Sequence, residues 1–98
     1  MAKQGNQGVP ARPNAAPEIL AVIRRLHLPT AGQVPFVPRK NWRPSQPMPR
    51  GPQNGFIDRQ GREWVKGPSR TSGEAFEWDV QLFDGTHLNV SLTGTITH

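Results

Sequence analysis

Between Phe76 and Leu92 apolar and polar positions alternate with a period of two, interrupted once at Phe83-Asp84-Gly85. A period of two is the signature of a strand with one buried face, and two such runs around a Gly-containing break predict a hairpin. Two closures are possible. A two-residue Asp84-Gly85 turn would set Asp79 opposite Val90 and Gln81 opposite Leu88, mixing polar and apolar side chains on both faces. A three-residue loop with a bulge at Gly85 instead pairs Trp78 with Val90, Val80 with Leu88 and Phe76 with Leu92. On the other face it pairs Glu77 with Ser91, Asp79 with Asn89 and Gln81 with His87. A one-residue slip moves every side chain across the sheet, so the clean segregation selects the second register.

The same reasoning extends in both directions. "FIDRQGREWV", residues 56–65, predicts a hairpin closed by Arg59-Gln60-Gly61 that pairs Phe56 with Trp64 and Asp58 with Arg62. "KGPSRTSGEA" predicts a loop, and "TITH" a last strand after the Thr93-Gly94 turn. Upstream the period changes. Ile19, Ile23 and Leu26 fall on one helical face, with Pro17 suited to the first turn, Glu18 near the positive end of the dipole and Arg24 and Arg25 near the negative end. This predicts a helix over 17–28, stopped by Pro29, that needs a surface to dock on. Residues 35–54 are proline-rich and basic and predict an extended arm that lays Phe36, Val37 and Trp42 on the core and exposes Arg39, Lys40, Arg43 and Arg50. The expected organisation is a flexible lead-in with its short helix (1–34), the arm (35–54) and an antiparallel β core (55–98). The fold class is mainly β (α+β), a small twisted antiparallel sheet of hairpins.

Composition limits what such a chain can be. It has 98 residues, 34% of them hydrophobic, a mean hydropathy of −0.63, eleven prolines and ten glycines, which leaves a modest core. There is no cysteine, which excludes disulfides, thiolate metal ligands and thiol nucleophiles. The longest apolar run, Ile19 to Ile23, is too short for a membrane span or a secretory signal core, so no membrane insertion is expected. Charge is unevenly spread. Residues 1–50 carry eight Lys/Arg and one acid, residues 51–98 four Lys/Arg and six acids, and no cation follows Arg70. A basic front half suits a polyanionic partner such as RNA, because Lys and Arg release counterions from phosphate; a merely solubilising extension explains the charge equally well.

The polar face of the second hairpin then gains interest. It presents two carboxylates and an imidazole and no cation, where an ordinary exposed strand face carries Thr, Lys and Arg as well. Metal-free cleavage of RNA needs a base for the ribose 2′-hydroxyl, an acid for the leaving 5′-oxygen and cations for the phosphorane. Asp79 and His87, diagonal on this face, could supply the first two, with Arg70 or the arm cations as the third. Glu77 and the terminal His98 are further candidates for proton transfer. The plain alternative is that Asp79 and His87 are solvent-facing strand residues. The spacing of Glu77, Asp79 and His87 matches no metal motif, so neither metal nor other cofactor is expected.

"PSQPMPRGPQNGFIDRQGREWVKGPSRTSGEAFEWDVQL" followed by "GTHLNVSLTGTITH" resembles the polymorphic toxin type 17 domain, a C-terminal warhead of bacterial contact-dependent and related toxins, over about Trp42 to His98. The resemblance implies an antibacterial ribonuclease, cleaving rRNA or tRNA, delivered as part of a larger toxin into the cytoplasm of a target cell and blocked by a cognate immunity protein. "FEWDVQ" and "DGTHL" are also similar to the ribosome-cleaving nuclease domain of certain colicins. That similarity places Asp79 on the catalytic aspartate and His87 on the later histidine. Leu82 stands where the colicin motif has its catalytic histidine, the catalytic glutamate has no counterpart, and His98 is the imidazole left to take over. The expected contacts are then Arg39, Lys40, Arg43, Arg50 and Arg70 on RNA, in a monomeric chain. Two other readings compete: a non-catalytic RNA- or ribosome-binding module, and an inactive toxin remnant.

Overall fold

Strict alternation in the C-terminal half yields a four-stranded antiparallel sheet in the computed structural model, which describes residues 16–98. Helix α1 (Pro17–Arg25) is followed by β1 (Phe56–Ile57), β2 (Glu63–Pro68), β3 (Phe76–Gln81) and β4 (His87–Val90), and the strands lie side by side in chain order. Apart from Ala16, the expected lead-in over residues 1–16 lies outside the described residues.

Both hairpin registers follow the hydrophobic pattern. Phe56 pairs with Trp64, and the Asp58 N–H donates to the Arg62 carbonyl around a turn in which Gly61 takes φ 83°. In the second hairpin Trp78 pairs with Val90, Asp79 with Asn89, Val80 with Leu88 and Gln81 with His87. Its loop closes with the Leu82 N–H on the Thr86 carbonyl and Gly85 at φ 86°. The Thr86 hydroxyl and N–H both donate to Asp84, holding that exposed carboxyl below the usual carboxylate range.

The chain departs from the sequence pattern at three places. β2 continues through Lys66, Gly67 and Pro68, which pair with Trp78, Glu77 and Phe76, so the expected loop after Val65 shrinks to residues 69–75. β4 ends at Val90, and the expected pairs Glu77–Ser91 and Phe76–Leu92 are not in its register. The cause is a local turn: the Ser91 hydroxyl accepts the N–H groups of Thr93 and Thr95, and the Gly94 N–H returns to the Ser91 carbonyl. Residues 95–98 then run back along β4 as a single bridge, Val90 to Ile96, and not as a full strand. Gly94 (φ 90°) lies so close to Ala31 and Gly32 that no side chain fits there.

The helix is shorter than its apolar spacing predicts. His27 adopts φ 63°, and the Leu28 N–H donates to the Ile23 carbonyl, a left-handed cap that stops the helix before Pro29 is reached. That end is fastened to the sheet. The Trp78 indole N–H donates to the His27 carbonyl at 2.9 Å, and the His27 ring meets Phe76 edge-on at 5.9 Å. Trp78→Phe keeps most of the packing but leaves this carbonyl unpaired; the expected loss is about 1–2 kcal/mol, read as a lower midpoint in urea unfolding at an unchanged slope.

Helix and arm together cover the apolar face. Phe36, Trp64, Trp78, Phe56 and Phe76 form a chain of edge-to-face aromatic contacts with centroids 5.5 to 6.3 Å apart. Phe36, Trp42 and Met48 of the arm are buried and Val37 half-buried, whereas Arg39, Lys40, Arg43 and Arg50 are exposed. The arm is not simply extended: Trp42 and Gln46 close tight turns on the carbonyls of Arg39 and Arg43. It is held to the first hairpin by the backbone and guanidinium N–H groups of Arg59, which donate to the carbonyls of Val37 and Pro38.

Candidate functional site

The face opposite the aromatic core is set by the β2–β3–β4 pairing. It carries Glu63, Val65 and Gly67 from β2, Glu77, Asp79 and Gln81 from β3, and His87 and Asn89 from β4. Asp79 lies at its middle. Its Oδ1 accepts a hydrogen bond from Asn89 Nδ2 at 3.0 Å and lies 3.6 Å from His87 Nε2. The Asp79 and His87 side chains are 35% and 53% exposed, open enough to meet a substrate, while Asn89 is buried and fixed. The 3.6 Å separation is longer than a hydrogen bond, so no direct bond fixes the imidazole to Asp79.

Glu77, one pleat along the same strand, is different in kind. It is wholly buried. Oε1 accepts the Arg70 N–H at 3.1 Å and lies 3.2 Å from the Thr97 hydroxyl; Oε2 has no hydrogen-bond partner and sits 3.7 Å from the Arg70 guanidinium, which is 57% exposed. Gly67, directly across on β2, adds no side chain over this carboxylate. Glu77 thus ties the 69–75 loop and the C-terminal tail to the sheet. Glu77→Ala removes the acceptor of a backbone N–H and a buried counter-charge for Arg70; the expected result is a loss of about 1–3 kcal/mol, with faster amide exchange at Arg70 while β2–β3 amides stay protected.

The structure therefore brings Asp79, His87, Glu77 and Arg70 to one face. His98 takes part through its main chain, its carbonyl accepting the Asn89 N–H, and it is Thr97 that reaches Glu77. The arm bearing Arg39, Lys40 and Arg43 packs on the opposite, apolar side through Phe36 and Trp42, and Arg50 stands at its junction with β1, bridged to Phe56. Leu82 is half-buried against the core. Among the described residues no three acid or imidazole side chains gather closely enough to hold a metal ion.

Two polar residues of consequence were not singled out as site residues by sequence reasoning. Glu63 is buried, its Oε2 accepting the N–H groups of Gln53 and Gly55 at 2.8 Å. The signal was the pair Gly51 and Gly55, where a side chain would collide with Glu63 or with the β2 backbone. Asp58 is buried and takes four donors: the N–H groups of Gln60 and Arg62, Arg62 Nε and the Trp64 indole. Both carboxylates hold loops, Asp58 through both oxygens and Glu63 through Oε2.

No curated protein and no solved structure gives a significant match to this chain. A family model does match, described as Novel toxin 17, and it covers residues 17–98. It begins where the helix begins, and so takes in the helix and all of the arm as well as the hairpins. With most of its length matched, the chain belongs to the Novel toxin 17 family.

Proposed function

We propose that this domain is an antibacterial ribonuclease toxin that cleaves RNA, rRNA or tRNA being the candidate substrates, by metal-independent acid–base transesterification. The observation that carries the reading is the Asp79–His87 pair, 3.6 Å apart and half-open on a polar sheet face, in a domain of a toxin family. Asp79, oriented by Asn89, takes the 2′-hydroxyl proton; the 2′-oxygen attacks phosphorus, and His87 gives its proton to the departing 5′-oxygen. The products are a 2′,3′-cyclic phosphate and a 5′-hydroxyl. A scissile phosphate entering the face takes the place of the 3.6 Å approach between the two side chains. Arg70, held beside Glu77, offers its exposed guanidinium to the charge that builds on the phosphorane.

Such a domain acts in the cytoplasm of a target cell, delivered as part of a larger toxin, and its producer protects itself with a cognate immunity protein. Among the described residues no helix is long and apolar enough to cross a membrane. The test is direct. Wild type, Asp79→Asn and His87→Ala are incubated with total RNA and with intact ribosomes in EDTA. A discrete fragment from the wild type alone supports the reading; intact RNA with all three, alongside retained RNA binding, would sink it in favour of a binding module. In that case charge loss at Arg39, Lys40 and Arg43 would remove whatever activity the domain has.

A further inference from the structure

β1 covers only Glu63 and Trp64 of β2, and no other strand among the described residues flanks β2 on that side. A cleft of about 310 Å³ opens where β1 stops. It lies at the lower end of the range for small-ligand pockets, the size of a single nucleotide. Two cations stand over it. The Arg50 guanidinium lies 4.4 Å from the Phe56 ring centroid and donates to the Asn54 carbonyl at 2.7 Å. The Lys66 ammonium, from β2, lies 4.6 Å from the Phe76 centroid. Each cation is thus held over an aromatic ring and ordered before any ligand arrives. Gln53 and Asn54 also line it, and the buried Phe56, Trp64 and Trp78 close it beneath with little ring surface open.

None of the lining residues is acidic. The Glu63 carboxylate, on the neighbouring β2 position, is turned away from the cleft onto the backbone amides of Gln53 and Gly55. The cleft also reaches round the sheet edge. Val65 lines it, and Val65 is the cross-strand partner of Asp79 on the opposite face. The cations and the floor of the cleft thus lie on the core side of β2, and only Val65 connects it to the face that carries Asp79.

We propose that this cleft is a binding subsite for single-stranded RNA, taking one nucleotide with its phosphate between Arg50 and Lys66 and holding a stretch of the substrate chain at the sheet edge, away from Asp79 and His87. The inference rests on the ribonuclease reading for its substrate. Single-stranded RNA fits because paired cations attract the phosphate, amides can meet a base edge, and the cleft admits one unpaired base and not a duplex.

The experiment uses the full chain carrying Asp79→Asn, with a short fluorescein-labelled oligouridylate as the probe and anisotropy as the readout. Arg50→Ala and Lys66→Ala are each expected to weaken binding roughly three- to tenfold and to lower the log–log salt slope by about one. The charge-keeping variants Arg50→Lys and Lys66→Arg bind near the parent level, which separates lost charge from lost folding. Arg24→Ala, on the helix, leaves binding unchanged. Parent-level binding by the Arg50→Ala/Lys66→Ala double variant overturns the proposal. So does an equal loss with Arg24→Ala, which would mean diffuse attraction, or displacement of the RNA by a polyglutamate peptide at comparable concentration, which would mark an acidic protein as the occupant. The two readings fail separately. If wild type cleaves no RNA but oligouridylate binding still falls in these variants, the nuclease reading fails and the RNA subsite stands. If wild type cleaves and the double variant cleaves equally well, the subsite fails alone.

Discussion

Asp79→Asn is expected to cut RNA two to four orders of magnitude more slowly than wild type while unfolding at nearly the same urea concentration. The first half follows from removing the proposed base, since positioned proton transfer contributes about 10²- to 10⁴-fold to such reactions. The second follows from the environment of the side chain. Asp79 is about a third exposed, and its one protein hydrogen bond is to the Asn89 amide, which an asparagine carbonyl still accepts. Cleavage rates measured on ribosomes and on a naked RNA, with the melting curve of the same preparation, check both parts. A variant that loses activity and stability together would move Asp79 from chemistry to architecture.

Asp58 carries the opposite expectation. Asp58→Ala should destabilise the domain by about 3–5 kcal/mol, because it strands a buried indole N–H, two backbone amides and a guanidinium at once. Against a total of roughly 5–15 kcal/mol for a small domain, that is a large share of the stability. Denaturant unfolding followed by tryptophan fluorescence reads it directly, since Trp64 is one of the groups set loose. Asp58→Asn retains the two acceptor bonds at Oδ1 but turns an amide toward the Trp64 and Arg62 donors, so a smaller loss is expected. Activity per folded molecule should be unchanged in both variants.

The contrast between these two aspartates shows what the sequence made legible. Asp79 could be placed beside Asn89 and diagonal to His87 because the alternation of Trp78, Val80, Leu88 and Val90 admits one register. The pairing of Asp58 with Arg62 was legible on the same grounds, but its burial was not. That depends on Trp64 aiming its indole inward and on Arg59 drawing the arm over the turn, both contacts made through space. The helix end was missed because a left-handed His27 leaves no strong local mark, whereas Pro29 does. Ser91 was assigned to the polar strand face by alternation alone, and its capacity to turn the chain outweighed that pattern. Lys66 was hidden because β2 was expected to end at Val65 and not at Pro68, which kept this cation out of the sheet.

The order of the strands has a kinetic meaning. Every strand of the sheet pairs with its neighbour in the chain, so the ladder assembles through short loop closures and is expected to form quickly. The bond from Trp78 to His27 spans 51 positions, and that from Arg59 to Pro38 spans 21; helix and arm are therefore expected to dock after the sheet has paired. With no cysteine in the chain, nothing in this sequence of events depends on an oxidant. A chain released unfolded is thus expected to rebuild its Asp79–His87 hairpin first, before the rest of the molecule closes around it.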